Sequence, residues 1–246
     1  MGSLIRLIPE SGTPTESSVG GKAGGIWSSE AAEADLPWTD DRIKNFLAAL
    51  RPKLQFHDSD VTNTDFYLDA DCPMEKHHLT YVTCHGDDHG PIMDGGPPLD
   101  VARATWGRSK NLKWLVFDTC RLFRDEFALS TWQPCFQGLR SLFGFVGMSS
   151  DMDGGLRGEA FARHLCAGVR FRDAWRWASQ ESNPWLSGSI RPQPGWLRAY
   201  DATTDTANDT WLANAELETL PMGESPASFE LLQHYVFSRL HDPPPP

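Results

Sequence analysis

The chain has 246 residues, enough for one domain with its own core, and 22 Lys and Arg against 33 Asp and Glu leave a net charge of −11. That balance argues against nucleic acid or an anionic membrane surface as a partner, and apolar runs of four or five residues, such as the one at 114–117, are too short to span a bilayer. Five cysteines without a CxxC arrangement read as reduced thiols of a cytoplasmic protein, and ten tryptophans stand against four tyrosines.

In chain order, residues 3–8 (SLIRLI) suit a first strand. The N-terminus has no secretory apolar region, and Arg6 stands where a myristoylation signal has Ser or Thr. Residues 9–36, rich in Gly, Ser, Thr, Glu and Ala, read as a long surface loop inside a single domain covering 1–242. Thr39 then caps a helix with Asp40 and Asp41 in its first turn; Ile43, Phe46, Leu47 and Leu50 share one face, and Pro52 ends it. Residues 53–57 suit a short strand.

Three apolar bursts of parallel-strand character follow at 78–84 (HLTYVTC), 112–119 (LKWLVFDT) and 142–148 (LFGFVGM). Helices are expected at 158–167, with Gly168 as C-cap, and at 172–179, where Trp175 falls on the core face and Trp177 points elsewhere. Strands at 196–200 and 211–215 and a last helix at 228–240 precede Pro243–Pro246, a tail that cannot fold.

Strands separated by helix-length segments imply an α/β fold, here a three-layer α/β/α sandwich with a mostly parallel central sheet. Ligands in such folds bind beyond the carboxyl ends of the strands. His85, Cys120 and the stretch Ser149-Ser150-Asp151 all sit just past such ends. A thiol becomes a nucleophile when an imidazole takes its proton or stabilises its thiolate, so His85 and Cys120 are candidate partners. Asp118, two residues before Cys120 on the same strand face, is expected to raise the thiol pKa.

A hydrophobic block ending in His-Gly (YVTCHG, 81–86), followed 35 residues after His85 by a block ending in Cys120 (WLVFDTC, 114–120), resembles the caspase-like clan of cysteine peptidases, which includes caspases, legumains and gingipains. The chain is more closely similar to an uncharacterised family of caspase-like domains with the pattern GHG, D-x-C and GF; Cys84-His85-Gly86, Asp118-Thr119-Cys120 and Gly144-Phe145 match it, with Cys84 replacing a glycine. The resemblance covers residues 36–177. It implies a caspase-like fold, Cys120 as nucleophile and His85 as general base and acid. It also implies an oxyanion hole formed by the N–H groups of Gly86 and Cys120. The third strand and its loop, with Met148, Ser149, Ser150 and Asp151, would wall the substrate pocket.

Other features shape the expected substrate. Asp87, Asp88 and Asp151 could select a cationic group, and Trp106 and Trp132, flanking the Cys120 strand, could line an aromatic wall beside Asp118. A peptide or an apolar or aromatic small molecule is therefore the expected ligand. No metal or other cofactor is expected. His85 and His89 are four apart, but Gly86 and Gly90 make a helix there improbable. The Asp151-Met152-Asp153-Gly154-Gly155 stretch lacks the later acids of a calcium loop, and no nucleotide-binding or serine-elbow motif is present. Two alternatives accompany the cysteine hydrolase: a cyclase, lyase or dehydratase using His85 for proton transfer, and a non-catalytic binding domain.

Overall fold

A computed structural model describes residues 2–5, 8–9, 23–28, 30–31, 34–35, 39–50, 54–55, 62–67, 72–93, 96–108, 111–124, 128–150, 153–182, 192–200 and 228–232. Seven strands form the main sheet. They are β1 (Gly2–Ile5), β2 (Ala23–Ser28), β3 (Leu79–Thr83), β6 (Trp114–Asp118), β7 (Ser141–Phe145), β8 (Pro194–Tyr200) and β9 (Ser228–Leu232), in the order β1-β2-β3-β6-β7-β8-β9. A small hairpin, β4 (His85–Asp87) and β5 (Gly90–Ile92), leaves the end of β3. The central four strands β2, β3, β6 and β7 run parallel, whereas β1 and β8 lie antiparallel at either side and β9 pairs antiparallel with β8.

Every residue of β3, β6 and β7 is buried. That is why these strands read as continuous apolar bursts rather than as alternating patterns. The pairing sets Tyr81 beside Val116 and Thr83 beside Asp118. Side chains thus alternate between two covers of different construction.

One cover is helical. α1 (Thr39–Ala49), α3 (Leu156–Cys166) and α4 (Phe171–Glu181) lie on the face that carries Tyr81, with Asp40 and Asp41 in the first turn of α1, as its dipole favours. The Tyr81 ring meets Phe46 of α1 at 4.8 Å, Phe161 of α3 at 6.0 Å and Trp175 of α4 at 6.2 Å. Trp175 also donates its indole N–H to the Gly144 carbonyl at 3.0 Å, so truncating it would cost about 3–5 kcal/mol.

The other cover is made of turns. Phe117 packs on Phe66 and Trp106, and Trp106 stacks on Trp132 at 6.0 Å. The segments supplying them are short: 3-10 turns at Asn63–Phe66, Pro73–Lys76, Val101–Arg103 and Gln133–Cys135, and the five-residue α2 (Ala128–Trp132). The fold is mixed α/β as expected, but among the described residues only one face carries long helices. Large indoles, their N–H groups bonded to the Phe66 and Leu122 carbonyls, fill the volume that helices were expected to fill.

Two other expectations are corrected. The segment read as a loop over 9–36 contains β2, a central strand of the parallel core. Its Ala-Gly-Gly start hid it, and the glycine is structural: a Cβ on Gly25 would lie 2.2 Å from Cγ2 of Ile43, so α1 packs directly on the strand backbone. The chain at 228–232 is strand β9 rather than the start of a helix, because β8 offers it an open edge, with Leu231 opposite Leu197. The first strand covers Gly2–Ile5, while Ile8–Pro9 pairs separately with Leu54–Gln55. The strand expected at 211–215 and the tail at 243–246 lie outside the described residues.

Candidate active site

The site lies where two adjacent parallel strands end. Thr83 of β3 is opposite Asp118 of β6, so the residues that follow, Cys84-His85 and Thr119-Cys120, leave the sheet side by side. Gly86 brings them closer still. A Cβ there would stand 2.1 Å from the Thr119 hydroxyl oxygen and 2.6 Å from the Cys120 carbonyl oxygen, so only glycine allows the two backbones to meet. His85 and Cys120 line one pocket of about 30 Å³, together with Cys84, Thr119, Asp118, Arg42 and Ser149. That volume accommodates a water or the carbonyl end of a substrate.

Cys120 is held from a third strand. The Ser149 N–H, in the loop after β7, donates to the Cys120 sulfur at 3.2 Å, and the thiol faces the Ser149 carbonyl at 3.6 Å. Burial pushes the Cys120 thiol up; the Ser149 N–H pulls it down and the Asp118 charge pushes it further up, with a raised pKa as the result. The resting group at neutral pH is therefore a thiol that needs a base. Directly after it, Arg121 has a φ of 59°, a left-handed conformation unusual for a side chain of this size, and its N–H bonds to the Gly147 carbonyl at 2.8 Å.

Beneath the pocket is a buried ionic network. Asp118 accepts from Arg157 of α3 at 2.5 Å, from the Tyr81 hydroxyl at 2.8 Å and from the Ser149 hydroxyl at 2.9 Å, with Arg42 of α1 3.6 Å away. Asp153 receives Arg42 at 2.7 Å and the backbone N–H groups of Gly155 and Arg157 at 3.2 Å. Both guanidinium groups also hold the Ser150 carbonyl, Arg42 at 2.7 Å and Arg157 at 2.9 Å, and Arg157 reaches the Ser149 hydroxyl at 2.8 Å. Two buried cations thus balance two buried anions, and the same contacts fix the loop whose N–H meets the thiol. Burial alone would push the Asp118 carboxyl up, but Arg157 and Arg42, with the Tyr81 and Ser149 donors, leave it below the usual carboxylate range.

The sequence-derived candidates divide. His85, Gly86, Asp118, Cys120 and Ser149 come together, and Ser150 joins them through its carbonyl. Asp118 lines the pocket as well, with its carboxylate held from within by Arg157, Arg42 and the Tyr81 and Ser149 hydroxyls. Asp88 is likewise taken, by Arg121 and Arg124. Asp87 accepts the His89 N–H at 2.7 Å and shapes the β4–β5 turn. Trp106 and Trp132 line no wall of the thiol pocket: they are buried on the opposite face of the sheet, where their apolar area is best removed from water. Met148 is exposed, and Asp151 lies outside the described residues.

The sequence reading missed Arg42, Tyr81, Asp153 and Arg157. A signal existed for two of them. Arg42 sits beside Ile43 and one turn before Phe46, inside the apolar phase of α1, and Arg157 falls one turn before Phe161 on the buried side of α3. Arginines in the apolar phase of two helices, with an aspartate ending a buried strand, point to a buried ionic centre. Among the described residues no group of three or more His, Cys, Asp or Glu is placed to hold a metal ion, and no helix is long and apolar enough to cross a membrane.

The family model described as a domain of unknown function, DUF6345, matches residues 24–220. The chain belongs to that family, and the matched stretch contains every residue of the site. No curated protein matches the chain.

Proposed function

We propose that the chain is a cysteine-dependent hydrolase of caspase-like type, with Cys120 as nucleophile and His85 as general base and acid. One observation carries this reading: His85 and Cys120, from the ends of neighbouring parallel strands, line the same small pocket. The 81–86 and 114–120 motifs support it independently.

The Cys120 sulfur attacks the carbonyl carbon of the substrate as His85 takes the thiol proton. The negative charge moves to the carbonyl oxygen, where the N–H groups of Gly86 and Cys120 would receive it. Collapse of that intermediate expels the leaving group, which takes the proton from His85, and leaves a thioester on Cys120. Water, deprotonated by His85, attacks the thioester and releases the acid and the free thiol. The raised thiol pKa keeps the proton on Cys120 at rest, so His85 has to take it in the attacking step. The Ser149 N–H steadies the sulfur as its charge rises.

Raised thiol basicity also favours a second reading, in which His85 performs acid–base chemistry on a small molecule and Cys120 is structural. Separate Cys120→Ala and His85→Ala variants, assayed against peptide and small ester substrates, distinguish the two. Loss of turnover in both supports the nucleophile; turnover that survives Cys120→Ala and dies with His85→Ala supports the second.

A further inference from the structure

The thiol pocket is lined by two hydroxyl-bearing residues, and they differ. The Ser149 hydroxyl donates to Asp118 at 2.9 Å and accepts from Arg157 at 2.8 Å. The Thr119 hydroxyl has no hydrogen-bond partner among the described residues, although Thr119 is only 1 % exposed. It opposes the upward push of burial on the Cys84 thiol, but without a bond of normal geometry. Its place is set by the backbone. Thr119 immediately precedes Cys120, and its oxygen lies so close to Gly86 that a Cβ there would come within 2.1 Å of it. The hydroxyl therefore stands beside both residues whose N–H groups would form the oxyanion hole.

An unpaired buried hydroxyl is costly, because it has given up its bonds to water and gained none. Packing does not require it. Valine has the same branched shape, suits a strand end at least as well and carries no polar atom to satisfy. An orphan of this kind in a pocket calls for a partner that arrives with the ligand. Its neighbours name that partner: an oxygen that gains negative charge when the Cys120 sulfur attacks a carbonyl carbon. A hydroxyl can rotate its proton toward such an oxygen, and bonds of that charged kind are short and strong. With no earlier hydrogen bond to break, the group acts without reorganisation.

We infer that the Thr119 hydroxyl is a third donor to the substrate carbonyl oxygen, beside the N–H groups of Gly86 and Cys120. The inference rests on the reading of Cys120 as nucleophile. In the attacking step the S–C bond forms and the carbonyl π pair moves onto oxygen. The thiol proton passes to His85, while Thr119 keeps its own proton and shares it in the new hydrogen bond. Reagents that modify the sulfur without charging an oxygen gain nothing from Thr119.

The test compares two such reagents on the full chain. 4-Nitrophenyl acetate acylates a thiol through a charged oxygen, whereas iodoacetamide alkylates it by displacement at a saturated carbon. Both adducts are quantified at Cys120 by mass spectrometry, with the exposed Cys166 as internal reference. Thr119→Val should slow acetylation of Cys120 about a hundredfold and leave its alkylation and the acetylation of Cys166 unchanged. The urea midpoint of this variant should equal or exceed that of the wild type. Thr119→Ser, which keeps the hydroxyl, should restore most of the rate. Equal acetylation of Cys120 in wild type and Thr119→Val, a parallel loss of alkylation, no recovery in Thr119→Ser, or a lowered urea midpoint in Thr119→Val would each overturn the inference. Wild-type Cys120 acetylated no faster than Cys166 is a separate outcome: it would overturn the nucleophile reading, and this inference with it.

Discussion

Asp118 and Asp88 pose the same chemical problem, one carboxylate facing two guanidinium groups, and the protein solves it in two environments. Asp118 is sealed between the sheet and helices α1 and α3, whereas Asp88 lies at a hairpin tip in water. In the buried centre the charges are obligatory, because removing one leaves another without solvent or partner. At the hairpin tip each charge can return to water, so the pairing is replaceable. Burial thus makes one triad part of the framework that aims the site and leaves the other exchangeable with water.

The sharpest way to break this comparison is to remove a cation from each triad. Arg157→Ala should lower unfolding free energy in urea by about 3–5 kcal/mol, since Asp118 and Asp153 then lose a buried partner. Arg124→Ala should leave the urea midpoint unchanged. Equal losses would erase the distinction. The same triad sets an acid limit. Because the Asp118 carboxyl is held below its unfolded value of about 3.9, its contribution is complete above that pH and is lost as pH falls through the lower folded value. Melting temperature should therefore drop on acidification below about pH 4, and Asp118→Asn should show a shallower acid limb.

Smaller effects test how the site is aimed. Gly86→Ala must displace Thr119 or the Cys120 carbonyl and should cost about 1–3 kcal/mol, with loss of activity larger than that of stability alone. Ser149→Ala removes the hydroxyl's hydrogen bonds with Asp118 and Arg157 but keeps the backbone N–H on the sulfur, so it should cost about 1–3 kcal/mol and retain activity. Asp88→Asn should leave the melting temperature unchanged, since both of its arginine partners are half-exposed.

Much of the site was legible because strand ends are legible. The bursts at 78–84 and 112–119 are buried parallel strands, and reading where they stop places His85 and Cys120. Strand β2 was not, since a glycine that makes room for Ile43, Gly25, looks like a loop residue when the helix it meets is unknown. The role of the acids was also hidden. Asp88 and Asp118 pair with arginines 30 or more residues away in sequence, as Asp153 does with Arg42, and composition gives the count of charges but never the pairing. The tryptophans misled for a related reason: Trp106 and Trp132 flank the Cys120 strand in sequence and turn to the opposite face in space.

Covalent trapping tests most directly whether Cys120 is a nucleophile served by His85. The protein is treated with a peptidyl acyloxymethyl ketone, and the five cysteines are mapped by mass spectrometry. Burial pushes Cys84 and Cys135 up to about 12 and Cys72 up to about 11, so those thiols should stay unmodified. An adduct on Cys120 is expected, forming about tenfold or more slowly in His85→Ala. An adduct confined to the exposed Cys166, or equal Cys120 labelling with and without His85, would contradict it.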